Sequence, residues 1–122
     1  MCRLLLVDDD GQLLNFYRLV LEHAGHQVRT ADNCQAAVEL LTESDPEVVV
    51  MDLRLPKIED GLGLIRALKA HQRPPRRCPK VIVSSGWTED LLPTAEKEWV
   101  DCLLSKPVRI EVLLQSISEL AR

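Results

Sequence analysis

Three unbroken apolar runs punctuate the chain: Leu4-Leu5-Leu6-Val7, Val48-Val49-Val50-Met51 and Cys102-Leu103-Leu104. Each ends on polar or charged groups, with Asp8-Asp9-Asp10 after the first, Asp52 after the second and Ser105-Lys106 after the third. Runs of this length read as β-strands buried on both faces. Between them, apolar residues recur at helical spacing. Leu13, Leu14, Tyr17, Val20, Leu21 and Ala24 mark a first helix over about 11–24, and Gly25 just beyond is a natural C-cap. Asn33 can cap a second helix that carries Ala36, Ala37, Leu40 and Leu41, and Asp45-Pro46 stops it. A third helix is expected after Gly61, with Leu64, Ile65 and Leu68 on its buried face. The last begins after Pro107 and sets Ile110, Leu113, Leu114, Ile117 and Leu120 on one side. Pro93 falls inside Thr88–Trp99 and removes a backbone donor, so the helix there should be short and start at Pro93.

Strands are expected at 3–8, 26–30, 47–52, 80–85 and 101–105. Their alternation with helices is the arrangement of βαβ units and a parallel sheet. At 122 residues, the chain fits one domain spanning 1–122. Open parallel sheets collect their chemistry at the C-terminal ends of the strands, which is where Asp8, Asp9, Asp52 and Lys106 fall. Carboxylates gathered at one edge repel each other and are stable together only with a cation, which suggests a metal held by hard oxygen ligands. Lys106 adds a fixed positive charge, so an anion such as phosphate could bridge it to the metal. Asp10 before Gly11 reads as a helix cap and not as a ligand.

Composition narrows the partners. A net charge of −4 argues against a nucleic-acid surface, which needs a basic stripe. Arg73, Arg76 and Arg77 do cluster, but among Pro74, Pro75 and Pro79 they read as a solvated loop. No apolar run approaches a bilayer span, and the N-terminus lacks the pattern of a secretory signal, so a soluble, cytoplasmic protein without membrane contact is expected. Cys2, Cys34, Cys78 and Cys102 show no C-x-x-C spacing and read as reduced, buried thiols. His23, His26 and His71 are isolated from the strand ends and read as structural.

Taken in order, the residues resemble the receiver domains of two-component response regulators. The resemblance covers the whole chain and rests on Val7-Asp8-Asp9-Asp10, Met51-Asp52-Leu53-Arg54-Leu55-Pro56, Ser85-Gly86 and Lys106-Pro107, each after its strand. It implies an α/β, doubly wound, flavodoxin-like fold, a five-stranded parallel sheet of order 2-1-3-4-5 with two helices on one face and three on the other. It also implies that Asp52 accepts a phosphoryl group from a sensor histidine kinase or a histidine phosphotransfer protein. Mg²⁺ would be bound by Asp9 directly, by Asp8 mainly through water, and by Asp52 and the backbone carbonyl of Arg54. Ser85 would hydrogen-bond one phosphoryl oxygen and Lys106 would pair with another. A cis peptide at Lys106-Pro107 is part of the same pattern. The chemistry favours these residue types on its own terms. Phosphoryl transfer spreads negative charge over three equatorial oxygens, which a metal, an ammonium and a hydroxyl stabilise without covalent work.

Several positions depart from the family pattern. Leu103 stands where an aromatic residue usually switches between rotamers, so a signal is expected to pass instead through Ser85 and the following loop. Trp99-Val100 replaces a common Gly-Ala pair, and the stretch from Pro56 to Gly61 is one residue longer than usual. Arg54 and Trp87 are large for residues bordering such a site. Two other readings stay open. Asp8-Asp9-Asp10-Gly11-Gln12-Leu13 also resembles the nucleophile motif of haloacid-dehalogenase-type phosphatases, with Asp8 as nucleophile and Asp10 as acid/base, although Gln12 replaces the usual threonine and Asp52 would then have no role. The other is a receiver-like scaffold that only docks. On the receiver reading the chain is not an enzyme toward other substrates, and it catalyses only its own phosphorylation and dephosphorylation. The chain ends in its last helix, so either it stands alone or its output domain lies elsewhere. The output partner is not legible, and a homodimer is left open.

Overall fold

The computed structural model of the protein describes residues 2–55, 57–70, 79–86 and 94–121. Five strands, β1 (Arg3–Val7), β2 (Gln27–Ala31), β3 (Val48–Asp52), β4 (Lys80–Ser85) and β5 (Cys102–Ser105), form one sheet in the order β2-β1-β3-β4-β5. All neighbouring strands run parallel. The helices are α1 (Gly11–His23), α2 (Cys34–Ser44), α3 (Ile58–Ala70) and α4 (Ile110–Leu120), with a short 3-10 helix at Ala95–Trp99.

Burial follows strand position. β3 is buried along its whole length and β1 from Leu4 to Val7, because both are flanked by strands and covered on both faces. The edge strand β2 alternates exposed and part-buried residues as far as the buried Ala31, and β5 is part-buried up to the exposed Ser105. Two apolar layers sandwich the sheet. Leu5, Val7, Val49, Met51, Val81 and Val83 pack on Ala37 and Leu41 of α2 and Leu64, Ile65 and Leu68 of α3, with Trp99, Val100 and Leu103 at the margin. Leu4, Leu6, Val48, Val50 and Ile82 point the other way, onto Leu14 and Leu21 of α1 and Leu113 and Ile117 of α4. Each fully buried aliphatic side chain contributes about 1.5–3 kcal/mol of transfer free energy.

The helix boundaries have local causes. The Asp10 carboxylate accepts from the Gln12 and Leu13 N–H groups at 3.1 and 3.2 Å and starts α1. The helix stops at Gly25, whose φ of 99° suits glycine, while the N–H of His26 returns to the Leu21 carbonyl at 3.1 Å. Asn33 accepts from the Ala36 N–H at 2.9 Å to start α2. Asp45, in a left-handed conformation at φ 46°, ends α2 before Pro46.

Two expectations are corrected. The third helix starts at Ile58 and not after Gly61, because the Lys57 carbonyl accepts from the Asp60 and Gly61 N–H groups and Glu59 and Asp60 suit a first turn. Gly61 therefore lies inside α3, where a Cβ would meet the Leu53 carbonyl oxygen and lie 2.6 Å from its carbonyl carbon. Alanine normally favours a helix by about 1 kcal/mol over glycine. Here the clash with backbone should dominate, so Gly61→Ala is expected to destabilise the fold by about 2–3 kcal/mol, read as a lower urea midpoint. An unchanged or higher midpoint would mean that α3 can retreat from Leu53 at little cost. The second correction concerns the segment after β4, whose described part is a 3-10 helix beginning at Ala95 and not an α-helix. Pro93 and the rest of 87–93 lie outside the described residues, as do Pro56, His71, the Arg73–Arg77 cluster and Cys78. Arg66 of α3 ties the 3-10 helix down through an ion pair with Glu96 at 2.6 Å.

Cys2, Cys34 and Cys102 are free thiols, and Cys2 is buried against His26, with its Sγ 3.4 Å from Nδ1. Among the described residues, no helix is long and apolar enough to cross a membrane.

Candidate functional site

The strand ends converge because the parallel registers align them. Val7 pairs with Met51, Asp52 with Ser84, and Ser85 with Ser105, so the residues that follow β1, β3, β4 and β5 emerge along one edge. A carboxylate oxygen from each of Asp8, Asp9 and Asp52 can be chosen so that all three lie within 4.8 Å of one another. Asp8 and Asp52 are buried, at 7% and 8% exposure, while Asp9 faces solvent. The set thus has a sheltered floor and an open side.

Backbone turns fix the two buried carboxylates. Asp8 Oδ1 accepts the Asp10 N–H at 2.9 Å, and Asp52 Oδ1 accepts the Arg54 N–H at 3.2 Å. The second oxygen of each faces the lysine. Lys106 Nζ donates to Asp52 Oδ2 at 2.9 Å and lies 3.9 Å from Asp8 Oδ2. Ser85 is buried at the end of β4, and its carbonyl accepts the Lys106 N–H at 2.9 Å, which locks the lysine backbone to the neighbouring strand. The Lys106-Pro107 peptide is cis, as the resemblance implied.

Charge states follow from this packing. Burial pushes the Asp8 carboxyl above its ordinary range, and the negative charges of Asp52 and Asp9 push it the same way. The Asp10 N–H and the Lys106 ammonium offset only part of that. Burial alone would lower the pKa of Lys106, but its hydrogen bond to Asp52 and the charges of Asp52 and Asp8 outweigh burial and raise it. Lys106 is therefore a fixed cation at neutral pH. A surplus of negative charge on buried oxygens, open toward solvent beside Asp9, fits a divalent cation with hard ligands.

The matching family model is the response regulator receiver domain, over residues 4–118. The chain belongs to this family. Its fold superposes on the receiver domain of a response regulator from Bermanella marisrubri with a TM-score of 0.85 and 34% identity, covering 98% of each chain. The response regulator TrrA of Thermotoga maritima, solved in complex with Mg²⁺-BeF, shares the fold at a TM-score of 0.82 and 20% identity, over 98% of this chain and 99% of that one. Among curated relatives, the virulence transcriptional regulatory protein PhoP of Salmonella typhimurium is 30% identical over 126 residues. That match spans all of this receiver domain chain but 53% of PhoP, and a 28% identical match to the sensory/regulatory protein RpfC of Xanthomonas campestris spans 16% of that protein. Receiver domains of this family belong to two-component signal transduction and work with histidine kinases.

Of the site residues expected from sequence, Asp8, Asp9, Asp52 and Lys106 come together at this receiver edge, Ser85 is buried at the end of β4, Arg54 follows two residues after Asp52, and Trp87 lies outside the described residues. Asp10 is not one of the gathered carboxylates, since it caps α1. Its Oδ1 accepts from the Gln12 and Leu13 N–H groups, a capping role that gives no support to a phosphatase reading with Asp8 as nucleophile and Asp10 as acid/base. Sequence reasoning missed Tyr17 as a neighbour of the site. Its place in the helical repeat marks it only as core, yet it feels the charges of Lys106 and Asp8. Leu103, in place of the usual aromatic, packs with Trp99 and Val100 on the α2–α3 side of the sheet.

Proposed function

We propose that residues 1–122 act as one phosphoacceptor receiver domain in which Asp52 takes a phosphoryl group from the phosphohistidine of a sensor histidine kinase or histidine phosphotransfer protein. The observation that carries this reading is the meeting of Asp8, Asp9 and Asp52 with Lys106, whose ammonium sits 2.9 Å from Asp52 Oδ2. Asp52 Oδ1 is occupied by the Arg54 N–H, which orients the carboxylate and leaves Oδ2 as the attacking oxygen, with Lys106 beside it. As the phosphoryl group arrives, Lys106 follows the charge from that oxygen onto the phosphoryl oxygens, and the Ser85 hydroxyl holds another of them.

Mg²⁺ would be held by Asp9, by Asp8 mainly through water, by Asp52 and by the backbone carbonyl of Arg54. When bound, it neutralises the carboxylates and the charge that builds on the transferring group. Buried Asp8 and exposed Asp9 suit that division, one sheltered and one reached from solvent. The domain would turn over no other substrate, would work in the cytoplasm, and would pass its signal to an output partner or domain outside this chain or to a second copy of itself.

Acetyl phosphate with Mg²⁺ tests the reading. Intact-mass measurement should show one added phosphoryl group on wild type and none on Asp52→Asn, and equal labelling of the two would refute the assignment.

A further inference from the structure

At the N-terminal ends of the strands, opposite the edge that carries Asp52, the half-buried His26 ties three elements together. Its backbone N–H donates to the Leu21 carbonyl at 3.1 Å and closes the turn after α1. Its ring Nδ1 accepts the backbone N–H of Cys2 at 3.2 Å, and the Cys2 Sγ lies 3.4 Å from the same nitrogen. The Cys2 carbonyl in turn accepts the Gln27 N–H at 3.0 Å, so β1 and β2 begin side by side at this pair. Cys2 is only 5% exposed, which leaves its N–H little access to water as an alternative partner.

A ring nitrogen that accepts a hydrogen bond carries no proton, so this geometry selects the neutral imidazole with its proton on Nε2. Protonation would set an Nδ1–H against the Cys2 N–H and leave a buried donor without its partner. The charged groups that bear on the pair are the terminal amine, Arg3 and Glu47. Glu47 favours a cationic ring, but its carboxylate is already engaged by the Arg3 N–H at 3.1 Å and the Arg3 guanidinium at 3.6 Å. Burial and the terminal amine push His26 below its ordinary value and outweigh Glu47, while burial and Glu47 keep the Cys2 thiol protonated. His23, three residues earlier at the end of α1, is exposed. We propose that His26 is an acid-sensitive latch, which when neutral pins the residue leading into β1 against the start of β2 and when protonated releases that end of the sheet. The latch is independent of the reading of Asp52, because it lies at the other end of the strands. A base that the fold holds neutral contributes its full stability above the ordinary histidine value and loses it as pH falls through the lowered one.

The first test needs no substitution. In an NMR titration of wild type from about pH 7.5 to about pH 4.5, the His26 ring nitrogens should show the Nε2–H tautomer at the start and a midpoint below that of His26 in the urea-unfolded chain. Across that step the protection factor of the Cys2 amide should fall about threefold to tenfold, the size of one hydrogen bond. His26→Asn offers an amide oxygen near the place of Nδ1 without titrating, so its urea midpoint should drop less on acidification than that of wild type. The difference between the two proteins isolates His26 from the carboxylates that titrate in the same window. His26→Phe keeps a ring but removes the acceptor, so its Cys2 amide should be as poorly protected at neutral pH as that of wild type in acid. A His26 midpoint at or above the unfolded one, an Nδ1–H tautomer, Cys2 protection indifferent to pH or to His26→Phe, or an equal acid loss in His26→Asn would overturn the latch.

Discussion

Lys106→Ala is expected to slow phosphorylation of Asp52 by about 10²–10³-fold, the usual cost of losing one placed charge-stabilising donor at a developing anion. The ammonium is the direct cationic partner of Asp52 Oδ2, at 2.9 Å, and its raised pKa keeps it charged across the working pH range. The loss should fall on the maximal rate and not on Mg²⁺ affinity, since the metal is assigned to Asp8, Asp9, Asp52 and the Arg54 carbonyl. Lys106→Arg should recover only part of the rate, because a planar guanidinium cannot reproduce a point charge on this stem. Rates measured against acetyl phosphate concentration separate the two effects. A Lys106→Ala protein as fast as wild type would remove the lysine from the mechanism.

The second large effect concerns stability. Burial raises the Asp8 pKa, and the charges of Asp52 and Asp9 add to that, so the fold binds this proton more tightly than the unfolded chain does. The sign follows directly. The metal-free protein has the full contribution of protonated Asp8 below the ordinary aspartate range and loses it as pH rises through the raised value. At neutral pH Asp8 is therefore a cost to the metal-free fold. Asp8→Asn should stabilise that fold by on the order of 1 kcal/mol. Mg²⁺ bound to the native state should raise the melting temperature of wild type by linkage, and the gain should shrink in Asp8→Asn. Asp52 is a different case, because Lys106 already pairs with it, so Asp52→Asn forfeits an ion pair as well as relieving repulsion. Thermal melts of the two variants with and without Mg²⁺ provide the check. A wild-type melt indifferent to Mg²⁺ would contradict the metal site.

The sheet and its functional edge were legible because their physics is one-dimensional. Short unbroken apolar runs such as Val48–Met51, alternating with helical repeats, read as strands of a parallel sheet, and the polar residue that ends each run then falls at the C-terminal edge of the sheet. The caps at Asp10 and Asn33 were readable for the same reason, since a short polar side chain before an apolar repeat has one local use. Gly61 was misread because its reason is tertiary. Its missing Cβ serves the approach of α3 to the Leu53 backbone, a contact that no local pattern reports. Tyr17 was read only as core because helical spacing shows which face is buried and not which charges lie at the end of that face. The same limit hid the Arg66–Glu96 pair, whose partners come from α3 and the 3-10 helix.

The most direct measurement is the location of the acyl phosphate. Wild type would be phosphorylated with acetyl phosphate and Mg²⁺, the mixed anhydride reduced with borohydride, and the modified aspartate found by peptide sequencing. The geometry around Lys106 predicts modification at Asp52 and at no other aspartate. Modification at Asp8 would point to phosphatase chemistry, and a protein left unmodified would reduce the domain to a docking scaffold, so either result would contradict the receiver mechanism described for this site.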